Sequence, residues 1–146
     1  MLFISHSSAD HSVALEVRRN LIARGYREDH IFYASEPASG IRVGQKWEDA
    51  IYRSLRVCRA LIVICSPRWA QSKWCFAELA AAKMADKAVF PLVIEDCDRS
   101  TLDEYQGLMA RQPAEFDHAL PWLVDELKRR QLGPDEKPQG AHTLKK

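Results

Sequence analysis

The chain has 146 residues, 47% apolar, 28% charged and 9% aromatic, with 21 basic against 20 acidic side chains and a net charge of +1. Chains of this size bury roughly two-thirds of the surface their unfolded form exposes, enough for a single core. The even charge balance lacks the clustered Lys and Arg excess that phosphate backbones require, which argues against a nucleic-acid partner.

Leu2 to Ser5 is short, apolar and β-prone and predicts a first strand. It runs into Ser7, Ser8 and Asp10, side chains that cap helices by accepting from free backbone N–H groups. Val13, Val17 and Leu21 recur at intervals of four on one helix face, and Gly25 is the expected left-handed stop. Ile31 to Tyr33 predicts the second strand. Ala34 to Gln45 is a Pro-, Ser- and Gly-containing loop of about a dozen residues, a length that in compact domains points to function. Trp47, Ile51, Leu55 and Cys58 then fall on one face of an amphipathic helix.

Ala60 to Cys65 is continuously apolar, as a strand covered on both faces in the centre of a parallel sheet should be. Ser66-Pro67 breaks it, Ser72 is placed to cap a new helix, and Trp74 to Ala85 is rich in helix-forming Ala, Leu and Met. Val89 to Ile94 predicts a fourth strand, with Pro91 implying an edge or a bulge. Tyr105 to Met109 fits a short fifth strand or a helical turn. Phe116, Leu120, Leu123 and Leu127 mark a last helix, in which Pro121 is tolerable only in the first turn. Beyond Leu132 the Gly, Pro, Lys and Gln composition suits a linker or disordered tail, giving a domain over residues 1–132 and a tail over 133–146.

The longest strongly apolar run, Ala60 to Cys65, is far short of the roughly 20 residues that span a bilayer, and no basic flank precedes an apolar N-terminal stretch. No membrane association is expected. Cys58, Cys65, Cys75 and Cys97 form no C-x-x-C pair and have no histidines at ligand spacing, so neither a metal nor a disulfide framework is expected. Together these features suit a reducing, cytoplasmic location. Alternation of strand and helix predicts an α/β fold: a doubly wound, three-layer flavodoxin-like sandwich with a five-stranded parallel sheet and helices on both faces. Ligands of such sheets bind outside the carboxyl ends of the strands, here the loops after Ser5, Tyr33 and Cys65.

The signatures of phosphate-cradling loops, serine hydrolases and zinc proteases are all absent from the chain. Receiver-type phosphotransfer needs paired aspartates after the first strand, where this chain carries Ser5-His6-Ser7. The informative stretch is Ser72-Lys73-Trp74-Cys75-Phe76-Ala77-Glu78-Leu79. Trp74 and Glu78 are four apart, hence on one helix face. Two readings stand side by side: an acid and an indole that hold a ribose and its ring, or a solvated helix acid beside a core aromatic.

Five ordered segments resemble the boxes of TIR (Toll/interleukin-1 receptor) domains. They are Phe3-Ile4-Ser5-His6-Ser7-Ser8-Ala9-Asp10, Ser39 to Trp47, Leu61 to Pro67, Ser72-x-Trp74-Cys75-x-x-Glu78-Leu79 and Val89-Phe90-Pro91-Leu92. The resemblance spans residues 2 to about 130, and its wording is most similar to bacterial TIR domains at the N-terminus of longer signalling proteins. It implies cleavage of NAD+ at the nicotinamide–ribose bond in a bacterial immune system, switched on by self-association with other TIR domains. NAD+ enters as substrate, no cofactor is implied, and further domains of a longer protein are expected partners.

By that resemblance Glu78 is the catalytic carboxylate, Trp74 shapes the site or a neighbouring TIR contact, and His6, Ser7 and Ser8 lie near the nicotinamide end. Ser35 and Arg42 join them as substrate-binding residues of the long loop, and Gly40, Ile41, Val43 and Gly44 form its assembly segment. Animal NAD+-cleaving relatives carry an aromatic residue and arginines where this chain has His6, Ser7 and Ser8. His6 suits either a loop residue capping backbone groups or a substrate contact. His11, His30, His118 and His142 are expected on the surface, and Cys75 has no base partner. The alternative function is a non-enzymatic adaptor that only binds other TIR domains.

Overall fold

Side-chain parity along the strands organises the molecule. A computed structural model of the chain describes residues 1–33, 53 and 55–134. Its strands are β1 (Leu2–Ser5), β2 (Ile31–Tyr33), β3 (Ala60–Cys65), β4 (Ala88–Val93) and β5 (Leu108–Met109). They form one parallel sheet in the order β2-β1-β3-β4-β5, so the predicted five-stranded α/β architecture of flavodoxin-like type is present. The described helices are α1 (His11–Ala23), α2 (Pro67–Gln71), α3 (Lys73–Met84) and α4 (Pro113–Arg129).

Because successive strand residues point to opposite faces, each apolar strand feeds two cores. Leu2, Ile4, Ile62, Ile64 and Leu92 face α1 and α4, meeting Val17, Leu21, Leu120, Leu123 and Leu127. Phe3, Leu61, Val63, Cys65, Val89 and Val93 face the other way, against Trp69 of α2 and Trp74, Cys75 and Leu79 of α3. Leu55 and Cys58 join this second core, as the apolar face of the helix predicted before β3 requires; Trp47 and Ile51 of that face lie outside the described residues.

Gly25 and Ser72 act as the sequence predicts, and Ser66 adds a cap that the sequence reading did not name. Gly25 takes φ +107° after α1, in the left-handed region where a side chain is strained. Ser66 accepts from the Trp69 amide at the start of α2, and Ser72 from the Cys75 amide at the start of α3. Pro91 sits where β4 has no ladder partner on its outer side, because β5 pairs only with Leu92 and Val93. The undecided segment resolves into strand β5.

Two expectations fail. Pro121 lies in the interior of α4, not in its first turn, because the helix begins at Pro113, eight residues before it. Pro121 removes the N–H that would bond the Asp117 carbonyl, but burial of Ala119, Leu120, Leu123, Val124 and Leu127 carries the helix through. His11 is half-buried against His6, with ring centroids 5.4 Å apart; His30 lies at the surface with its side chain 40% exposed, His118 is exposed and His142 lies outside the described residues. Among the described residues no helix is long and apolar enough to cross a membrane.

Candidate functional site

In this sheet order the chain reverses direction of growth between β1 and β3, and the crevice at their carboxyl ends is where such folds bind ligands. Ser5 ends β1, and the register Ser5↔Val63 leaves β3 running two residues further to Cys65. Strand parity puts Ser5 on the same face as Phe3, toward α3.

On that face the Ser5 hydroxyl donates to Oε1 of Glu78 at 2.7 Å. The same hydroxyl oxygen accepts the indole N–H of Trp69 at 3.2 Å. Glu78 is fully buried, so the reading of a solvated helix acid is overturned. Its carboxylate enters the interior with a hydroxyl donor in place, as a buried polar group must. Trp74, one turn earlier on α3, is buried in the core beside Cys75 and Leu79.

A second network occupies the other side of the strand ends. Asp10 was expected to cap α1, yet it makes no side-chain cap there. It is buried, with Oδ1 accepting from Arg68 Nε at 2.9 Å and Oδ2 accepting from the Ser66 hydroxyl. Arg68 reaches on to Glu95 at 3.4 Å. These bonds, that to Asp10 first, hold the Arg68 guanidinium protonated more firmly than usual. The Ser66 hydroxyl thus donates to an acid while accepting the amide that starts α2.

The loop after β1 lies between these networks. His6 is buried, and its Nε2 lies 3.3 Å from Nδ1 of His11. Burial is the main force pushing the His6 pKa below its ordinary value; a hydrogen bond to the Ile4 backbone opposes it and the neighbouring His11 adds to it. Ser7 is buried and accepts from the Ala9 amide at 3.3 Å, whereas Ser8 is exposed. Cys65, at the end of β3, is an inert core thiol whose pKa burial raises to about 12.

Of the expected site residues, Glu78 is bonded to Ser5 and Trp74 lies in the core on the same face of the sheet, whereas His6 packs on His11 of α1, Ser7 bonds the Ala9 amide and Ser8 is exposed. Ser35, Gly40, Ile41, Arg42, Val43 and Gly44 lie outside the described residues. Among the described residues no group of three or more His, Cys, Asp or Glu side chains is arranged to hold a metal ion. The sequence reading singled out neither Ser5 nor Trp69 as functional. The signal was present as the period-two alternation of β1, which aims Ser5 at the helix carrying Glu78.

The family model for the TIR domain matches residues 2–132. The crystal structure of the TIR domain of the Toll-related receptor TRR-2 from the lower metazoan Hydra magnipapillata is similar. It superposes with a TM-score of 0.60 over 87% of this chain and 97% of that one, at 12% sequence identity, a likeness of fold. No curated protein matches. The chain belongs to the TIR domain family.

Proposed function

We propose that this TIR domain cleaves NAD+ at the nicotinamide–ribose bond, with Glu78 as the catalytic carboxylate. The observation that carries the reading is the orientation of the Glu78 carboxylate by the Ser5 hydroxyl at the carboxyl edge of the sheet. Breaking the bond sends its electron pair to nicotinamide and leaves an oxocarbenium-like ribose. A carboxylate fixed beside the ribose positions the sugar and stabilises that charge. Water then attacks C1′ to give ADP-ribose, or a group of the adenine ring attacks to give a cyclic isomer.

The loop from His6 to Ser8 serves the nicotinamide end in this reading, with Trp74 shaping the wall beside Glu78. Ser35 and Arg42 contribute substrate contacts from the long loop, whose Gly40 to Gly44 segment mediates assembly. TIR domains self-associate or bind other TIR domains, and self-association of this one switches on cleavage. We place it in the cytoplasm of a bacterium, within a longer signalling protein acting in immunity.

The second reading is an adaptor without turnover. The complete burial of Glu78 favours it, since a carboxylate enclosed by the core already has a structural use. Purified domain, held at high concentration or clustered on a crowding scaffold, separates the two by NAD+ consumption with chromatographic resolution of products. Wild type is expected to release nicotinamide, and Glu78→Gln and Glu78→Ala are expected to release none while remaining folded by circular dichroism. Turnover surviving in Glu78→Gln removes the carboxylate role; a folded, clustered wild type without turnover leaves an adaptor or an enzyme that requires a further partner.

A further inference from the structure

The Ser5 hydroxyl is held from both sides. Its oxygen accepts the Trp69 indole N–H at 3.2 Å, and its proton goes to Glu78 Oε1 at 2.7 Å. A hydroxyl has one proton and a freely turning O–H bond, so a fixed donor on its oxygen restricts where that proton points. An indole N–H only donates, which gives the chain one direction: Trp69 to Ser5 to Glu78. All three side chains are buried, where such bonds gain strength from the low dielectric.

We propose that Ser5 and Trp69 are positioning residues for the Glu78 carboxylate, setting its plane relative to the substrate ribose through a directed indole–hydroxyl–carboxylate chain. The proposal rests on the reading of Glu78 as the catalytic group. Three elements converge on the chain: Ser5 closes β1, Trp69 lies in α2 and Glu78 in α3. The short helix α2 thereby acquires a purpose, since its cap by Ser66 fixes the turn that delivers the indole to Ser5. Neither Ser5 nor Trp69 touches substrate in this scheme. Loss of the chain frees the carboxylate to turn about its own side-chain bonds, and a misplacement of about 1 Å costs on the order of 100-fold in rate.

Steady-state NAD+ cleavage by the clustered domain tests this in wild type, Ser5→Ala, Ser5→Thr, Trp69→Phe and Glu78→Gln. Ser5→Ala is expected to lower kcat by about 10- to 100-fold with KM within about twofold, because substrate contacts persist while the carboxylate loses its orientation. Ser5→Thr keeps the hydroxyl on a β-branched, strand-compatible side chain and is expected to return kcat to within about threefold of wild type. Trp69→Phe keeps an aromatic ring but removes the N–H, and is expected to fall between the two.

Circular dichroism and a thermal melt accompany each variant. If Ser5→Ala fails to fold, Trp69→Phe against Ser5→Thr carries the comparison, since the positioning role requires the first to be slow and the second fast. A folded Ser5→Ala or Trp69→Phe with wild-type kcat overturns the proposal, as does a variant whose KM rises while kcat holds. In either case an active wild type beside inactive Glu78→Gln leaves the assignment of Glu78 standing. A wild type without turnover overturns both.

Discussion

Replacing Ser66 by Ala removes one oxygen that serves two buried partners, and its cost follows from the structure. The Ser66 hydroxyl accepts the Trp69 amide at 3.1 Å as the cap of α2, a role whose loss typically costs about 1 kcal/mol. It also donates to Asp10 Oδ2, and Asp10 is buried, so removing the donor strips a charged acceptor of a bond worth about 1.5–3 kcal/mol. The two add to roughly 2.5–4 kcal/mol. Ser72→Ala is the control, because Ser72 caps α3 by accepting from the Cys75 amide at 3.2 Å from a half-buried position, and about 1 kcal/mol is expected. Urea unfolding followed by tryptophan fluorescence, with the slope of free energy against urea unchanged, gives both values. The Ser66 variant is expected to lose at least twice what the Ser72 variant loses. Equal losses would refute the buried bond to Asp10 as a source of stability and reduce Ser66 to a cap.

His6 gives a pH dependence whose sign is set by burial. Its folded pKa lies below the ordinary 6.5, so as pH falls through 6.5 the unfolded chain takes up a proton that the folded chain refuses. Stability from this group is intact above pH 6.5 and declines below it, by up to about 1.4 kcal/mol per pH unit until the folded pKa is reached. Melting temperatures between pH 5.5 and 7.5 are expected to fall toward acid in wild type and to fall less in His6→Gln; parallel slopes would refute the assignment. Tyr26 donates to the Leu132 carbonyl at 2.7 Å, a buried bond that joins the end of α1 to the chain beyond α4. Tyr26→Phe is expected to cost about 1–3 kcal/mol in urea unfolding, since the carbonyl is left without its donor, and a loss below about 0.5 kcal/mol would show that water replaces the hydroxyl.

The elements were legible because each is set by a local period. Ala60 to Cys65 has to be covered on both faces, and in the structure it pairs with β1 and β4 and faces both cores. Pro121 was misplaced because a proline rule applied to one helix turn ignores the long apolar stripe that holds α4 to the sheet. Asp10 was misread for a related reason. Its position before α1 has the local pattern of a cap, but Ser66 and Arg68, 56 and 58 residues away, present stronger donors to its carboxylate. Local competition for a side chain is visible in sequence, whereas long-range competition is visible only once the sheet brings the strand ends together.

Glu78 and Ser5 show how two short periods combine into one contact. The helical interval from Trp74 places Glu78 on the buried face of α3, and the strand interval from Phe3 places Ser5 on the matching face of β1. Neither interval predicts a bond across 73 residues. The parallel pairing of β1 with β3 supplies the missing condition, because it sets Ser5 two residues short of the end of β3, beside the turn from which α2 brings Trp69. The same pairing leaves Asp10 on the far network, where both carboxylate oxygens are committed to Ser66 and Arg68. Of the two buried acids at this edge, Asp10 is thereby bound into the scaffold through a guanidinium, while Glu78 is aimed by a neutral hydroxyl whose own direction is fixed. A site built this way depends on strand register more than on any single loop, since a slip of one residue in β1 would turn Ser5 away from α3 and put His6 in its place.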